Sequence, residues 1–147
     1  MNQPVTSQLP TAINPTGLYD PTANGYSHLM IAPGDSRWLF VAGQGGEDAL
    51  GELATEFSAQ LQRCLQNLRI ALVAGGASLQ QVVKLTVLVV NHDAQRLKEI
   101  SDALREAWAG NATPACTLIP VAQLALEGML IEIDATACVN AAERLPA

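Results

Sequence analysis

Three kinds of side chain in this sequence could do chemistry: three thiols, two imidazoles and a closely spaced pair of carboxylates. Cys116 stands out among the thiols. It sits in "NATPACTLIPVAQLA", after a Pro-Ala pair and at the start of an apolar run. A nucleophilic cysteine needs a base or a positive environment to form thiolate. Cys116 has no basic neighbour in sequence, so it reads as a small side chain facing a cleft or the core, with a reactive thiol as the outlying alternative. Cys64 and Cys138 fall in apolar segments and read as core. His28 and His92 lie far apart, and neither belongs to an H-x-x-x-H or C-x-x-C frame, so no metal is expected. His92, at the end of an apolar run, reads as a surface polar residue.

The carboxylates are in "LIEIDA". Glu132 and Asp134 are two residues apart, which in a strand puts both on one face. Their neighbours Leu130, Ile131 and Ile133 are apolar. A buried carboxylate is costly unless hydrogen-bonded, and burial favours its protonated form. Glu132 is therefore a candidate proton donor or water-orienting group; the alternative is a strand face that is simply solvated. "GQGG" at 43–46 has neither the Gly-Lys-Ser/Thr of a phosphate loop nor a G-x-G-x-x-G spacing, so no nucleotide role is assigned to it.

The elements that must position these residues follow from periodicity. Residues 1–18 are rich in Pro, Thr and Asn and read as an irregular lead-in, in which "INPTGLYDP" lies along the body or adds a short edge strand, and 140–147 as a tail. The runs His28–Ala32 and Trp38–Ala42 flank Pro33-Gly34-Asp35-Ser36, which predicts a hairpin. Apolar residues at 53, 57, 61, 64, 65, 68 and 72 predict a helix over 52–74, stopped by Gly75-Gly76. The β-branched run 82–90 predicts a central strand. Asp93 can cap a helix over 94–109, where Leu97, Ile100, Leu104 and Trp108 keep helical spacing. "ACTLIPVA" and "MLIEIDATACV" predict two closing strands. The result is one α+β domain over 19–139, a mixed sheet with two helices on one face.

Bulk composition narrows the function classes. The chain has 147 residues, 49% hydrophobic and 15% charged, which is a globular balance with a low charge content. Other subunits covering part of the surface would account for that. The net charge is −6 and the eight basic residues are scattered, so nucleic acid is not an expected partner. No apolar run approaches the ~20 residues of a membrane span. With no secretory signal pattern and unpaired cysteines, a cytoplasmic location is expected.

Several segments, taken in order, resemble one family. They are "YSH", "WLFVAGQGG", "QNLRIALVAGGASLQQVVKLTVLV", "TPACTLIPVAQLA" and "LIEIDATA". The order and content are similar to those of the reactive-intermediate deaminases, the RidA or YjgF/YER-type proteins. The resemblance implies a chorismate-mutase-like fold and a homotrimer with small-molecule clefts between subunits. It implies hydrolysis of imines or enamines to carbonyl products and ammonia, without cofactor. Tyr26 then matches the aromatic at the cleft mouth, Gly43 and Gln44 the backbone lining it, and Glu132 the carboxylate that positions water. The family's substrate-holding arginine follows the Pro-Ala pair, and here that position is Cys116. The chain thus resembles a branch lacking the arginine. A non-catalytic metabolite-binding protein is the alternative, and a ribonuclease the less favoured one.

Overall fold

The computed structural model describes residues 9–142. Along them run the strands β1 (Thr11–Ile13), β2 (Leu29–Ile31) and β3 (Ser36–Gly45), the helix α1 (Phe57–Ala74) and the strand β4 (Val82–Val90). The helix α2 (Ala94–Ala107) and the strands β5 (Ala115–Val121) and β6 (Ile131–Asn140) complete the order. Expectations for residues 1–8 and 143–147 lie outside the described residues.

The main sheet has the order β3-β6-β4-β5. β6 runs antiparallel to both neighbours, whereas β4 and β5 are parallel and joined through α2. The β-branched run therefore lies in the sheet interior. Alternate residues Leu85, Val87 and Val89 are sealed in the core, while Lys84, Thr86 and Leu88 face the other way and are half-buried. Ile131, Ile133, Ala135 and Ala137 of β6 join them beneath the helices. From α1 come Leu61, Cys64, Leu65, Leu68 and Leu72, each at most 2% exposed. Burying each leucine contributes about 1.5–3 kcal/mol. Ile100, Leu104 and Trp108 complete the core from the α2 segment.

The helix ends follow local chemistry. Asp93 accepts from the Arg96 N–H at 2.8 Å and caps α2. At the end of α1, Gly76 takes a left-handed φ of +76°. There Ala77 N–H reaches the Leu72 carbonyl and Gly76 N–H that of Val73, closing the helix in a Schellman motif. The start of α1 differs from the expectation by five residues. Asp48 accepts from the N–H groups of Leu50 and Glu52, and this side-chain turn diverts the chain before a helix can begin.

Two further expectations are corrected. The hairpin between the runs flanking Pro33–Ser36 is not made. The chain does reverse there, with Ser36 Oγ donating to the Pro33 carbonyl. Beyond the turn, however, β3 pairs along its length with β6, whereas the three-residue β2 pairs with β1. A ten-residue strand gains more ladder from an equally long partner than from a short one. β1 lies inside the stretch read as an irregular lead-in, and the short edge strand left open for "INPTGLYDP" is found at Thr11–Ile13, mostly ahead of it.

Candidate functional site

Ser27 ties the segment after β1 to the start of β5. It forms a bridge with Ala115, its N–H donates to Pro114, and its buried hydroxyl donates to the Thr113 carbonyl at 2.6 Å. This clamp sets Tyr26 beside Cys116. Both line a cavity of ≈ 280 Å³, together with Tyr19, Ser101, Leu104 and Leu118. Tyr19, Tyr26 and His28 pack edge-on, with ring centroids 5.3–6.4 Å apart. The two tyrosine hydroxyls are hydrogen-bonded to each other, and His28 Nε2 meets the Tyr19 carbonyl at 2.8 Å.

Burial pushes the Cys116 thiol up to about 11, and the nearby Lys84 ammonium offsets only part of that. A neutral thiol is a poor nucleophile, which removes the support for the reactive-thiol alternative. Cys64 is more extreme: burial first, then the carboxylates of Glu47 and Glu132, push it up to about 12.

The other candidate residues gather elsewhere. A bulge between Val41 and Gln44 breaks the β3–β6 register, and Gly43 stands in it. A Cβ on Gly43 would fall 1.8 Å from Glu132 Oε1, so any larger residue there would push that carboxylate out of its place. Glu132 is half-buried and Asp134 exposed, both on the face away from the helices. Asp134 accepts from the Thr86 N–H at 3.2 Å. Gln44 turns back on its own strand, its amide donating to the Ala42 carbonyl at 3.0 Å.

Two contributions were not found by sequence reasoning. Tyr19 and His28 complete the aromatic group around Tyr26, and only their spacing to Tyr26 could have hinted at it. Glu47 lies over Gly45, with Oε2 buried and without a hydrogen-bond partner among the described residues. Asn67 holds this segment by donating to the carbonyls of Gly45 and Glu47 at 3.0 and 2.9 Å.

The chain thus brings together Tyr26 with Cys116, and Gly43 with Glu132, but not the two pairs. Glu132 is opposite Leu88 and Cys116 opposite Leu85, on either side of β4. Strand spacing and rise put their Cα atoms on the order of 14 Å apart. Their side chains also point to opposite faces.

The basic residues that could replace a missing charge have partners away from Cys116, although one terminal nitrogen of Arg37 is buried without a partner among the described residues. Arg37 donates to the Gly75 carbonyl at the end of α1, and Arg105 pairs with Asp102. Lys84 donates to the Thr117 hydroxyl on the far face. His92, expected at the surface, has a buried Nδ1 without a partner among the described residues. Among those residues no group of three or more His, Cys, Asp and Glu could hold a metal ion, and no helix is long and apolar enough to cross a membrane.

The profile of the endoribonuclease L-PSP family matches residues 19–139. Among solved structures, the chain is similar to YyfB of Yersinia pestis, described as a protein of unknown function of the conserved Rid family. Identity is 37% over 89% of this chain and 99% of that one, with a TM-score of 0.84. It is similar to Rv2704 of Mycobacterium tuberculosis, a member of the YjgF/YER057c/UK114 family, at 28% identity over 87% and 98% of the two chains, TM-score 0.59. RidA of an Antarctic Psychrobacter is 25% identical over 86% and 92%, TM-score 0.62. No match was found among curated proteins.

Proposed function

Because this chain belongs to the endoribonuclease L-PSP family, the YjgF/RidA proteins, we propose that it binds a small molecule in clefts between copies of itself. There it hydrolyses an imine, enamine or related C–N bond on a substrate lacking the usual carboxylate. The observation that carries this reading is the division of the candidate residues into two half-sites. Tyr26 and Cys116 sit at one cavity, while Gly43, Gln44 and Glu132 sit across β4 on the other face. Neither half alone surrounds a ligand, and a neighbouring copy in a homotrimer would supply the missing half.

Within such a cleft Glu132 orients a water molecule toward the carbon of the C=N bond. The oxygen adds to carbon and the nitrogen takes up a proton. The resulting carbinolamine expels ammonia and leaves a carbonyl, so that one water is consumed per C=N bond broken. The chain's part is to hold the water and exclude competing solvent. Cys116, neutral and without a fork of donors, cannot clamp an acid as an arginine does.

The test uses purified protein and 2-aminoacrylate generated in situ. Little turnover is expected from the wild type, and a gain from Cys116→Arg. An imine without a carboxylate should be hydrolysed by the wild type and not by Glu132→Gln. Full turnover of 2-aminoacrylate by the wild type would overturn the reading.

The neutral thiol also favours a second reading, a non-catalytic metabolite-binding protein, which ligand-dependent thermal shifts without product would support. A ribonuclease role remains the weaker alternative, since the −6 charge offers a phosphate backbone no positive stripe. RNA cleavage that survives rigorous nuclease removal would reverse that order.

A further inference from the structure

The cavity beside Cys116 is lined without a charged side chain. Its hydroxyls are mostly engaged: Ser101 donates to the Leu97 carbonyl at 2.8 Å, and those of Tyr19 and Tyr26 bond each other, which leaves one phenolic hydrogen of the pair to donate. Leu97, Ile100 and Leu104 form one wall from α2, and Leu118 faces them from β5. Asn24, exposed at the rim, is the lining side chain left to offer an amide. Gly25 fixes the distance between the 22–24 turn and α2, because a Cβ there would fall 2.9 Å from the Ser101 carbonyl. The volume is ≈ 280 Å³, whereas an apolar cavity of about 150 Å³ is enough to take up benzene.

We propose that this cavity is the specificity pocket of the site and takes an uncharged apolar group, a ring or a branched aliphatic chain. The inference rests on the reading of Tyr26 and Cys116 as part of the ligand site. A carboxylate or ammonium entering the pocket would lose its water and find no counter-charge, only the Asn24 amide at the rim and one tyrosine hydroxyl. An apolar group loses nothing by the same move and gains contact with four aliphatic side chains. Selection therefore acts on the body of the substrate, where an arginine in the position of Cys116 would select on its acid.

Methyl-labelled full-length protein, observed by NMR, tests this with three probes that share one ring and differ in charge: benzyl alcohol, benzoate and benzylamine. Benzyl alcohol should shift the methyl signals of Leu97, Ile100, Leu104 and Leu118 and bind at least tenfold tighter than either charged probe. Benzoate or benzylamine binding as tightly as the alcohol would overturn the proposal, as would the failure of all three to move these signals. Cys116→Arg should turn the preference toward benzoate. Leu97→Lys, at a half-exposed position on the rim, provides the same reversal should the arginine variant not fold. A preference unchanged in a folded variant counts against the pocket. Benzyl alcohol binding without imine hydrolysis sinks the hydrolase reading and supports the pocket, while hydrolysis without such binding does the opposite.

Discussion

At Cys116 one side chain decides which chemistry is open. A hydrogen bond to a charged group contributes roughly 1.5–3 kcal/mol, and the upper end corresponds to about a hundredfold in binding. A thiol in the arginine's position forgoes that gain for any acidic substrate. The thiol does not compensate by reactivity, because burial holds it near 11 against an ordinary value of 9.0. At pH 7 the thiol therefore stays almost wholly protonated. Alkylation of Cys116 by iodoacetamide, followed by peptide mass spectrometry, should rise about tenfold per pH unit up to about 11. A rate that is already level below pH 9 would show an activated thiol and restore the reactive-cysteine alternative. The same shift has a stability consequence. Between about 9 and 11 the unfolded chain releases this proton while the folded chain keeps it, so the contribution to stability is complete below that window and lost through it. Cys116→Ala should flatten that part of the stability curve.

Among the elements, Gln60 shows how one polar side chain can fix where strands and loops begin. It is fully buried on α1, and its amide donates to the carbonyls of Ala54 and Gly128 and accepts from the Leu130 N–H, at 2.7, 2.8 and 2.8 Å. Gln60→Leu leaves three backbone groups unpaired at about 1–3 kcal/mol each. Urea unfolding should register a loss of about 3 kcal/mol or more, whereas Gln62→Leu on the exposed side of the same helix should stay within about 0.5 kcal/mol. Equal effects would mean that the α1 network carries no weight. Gly46 belongs to the same joint, because a Cβ there would fall 2.5 Å from that of Gln60. In the sequence it was legible only as part of a glycine cluster ending a strand. The long strand β4 and the capped helix α2 were legible because their signals are local: a β-branched run, an aspartate before an apolar spacing. The pairing of β3 with β6 was not, since a turn signal says that the chain reverses but not which strand it then finds. The site divides in the same way. Cys116 and Glu132 could be picked out from type and spacing, whereas Tyr19 and His28 meet only because the chain folds back between residues 19 and 28, and Glu47 is set in place by Asn67 on α1.

The two half-sites constrain the whole molecule more than either constrains its own strand. With Cys116 and Glu132 on the order of 14 Å apart and on opposite faces of one sheet, a small ligand that touches both must lie between copies of the chain. The face turned away from the helices is suited to such a contact: Trp38 and Phe40 are 47% and 81% exposed there, opposite Cys138 and Thr136 of β6. A head-to-tail contact closes into a ring, and three copies would make three equivalent clefts. Sedimentation should give three times the 15.5 kDa of the chain, and Phe40→Asp should shift it to the mass of one. A monomeric wild type would remove the shared cleft altogether. A mixing experiment separates a shared cleft from mere association. Cys116→Trp blocks one half-site and Glu132→Gln disables the other, so each variant alone should lack turnover. If every cleft draws one half from each of two copies, equal parts of the two variants, unfolded and refolded together, should recover about a quarter of the wild-type rate. If both halves belonged to one copy, mixing would restore nothing, however well the trimers formed.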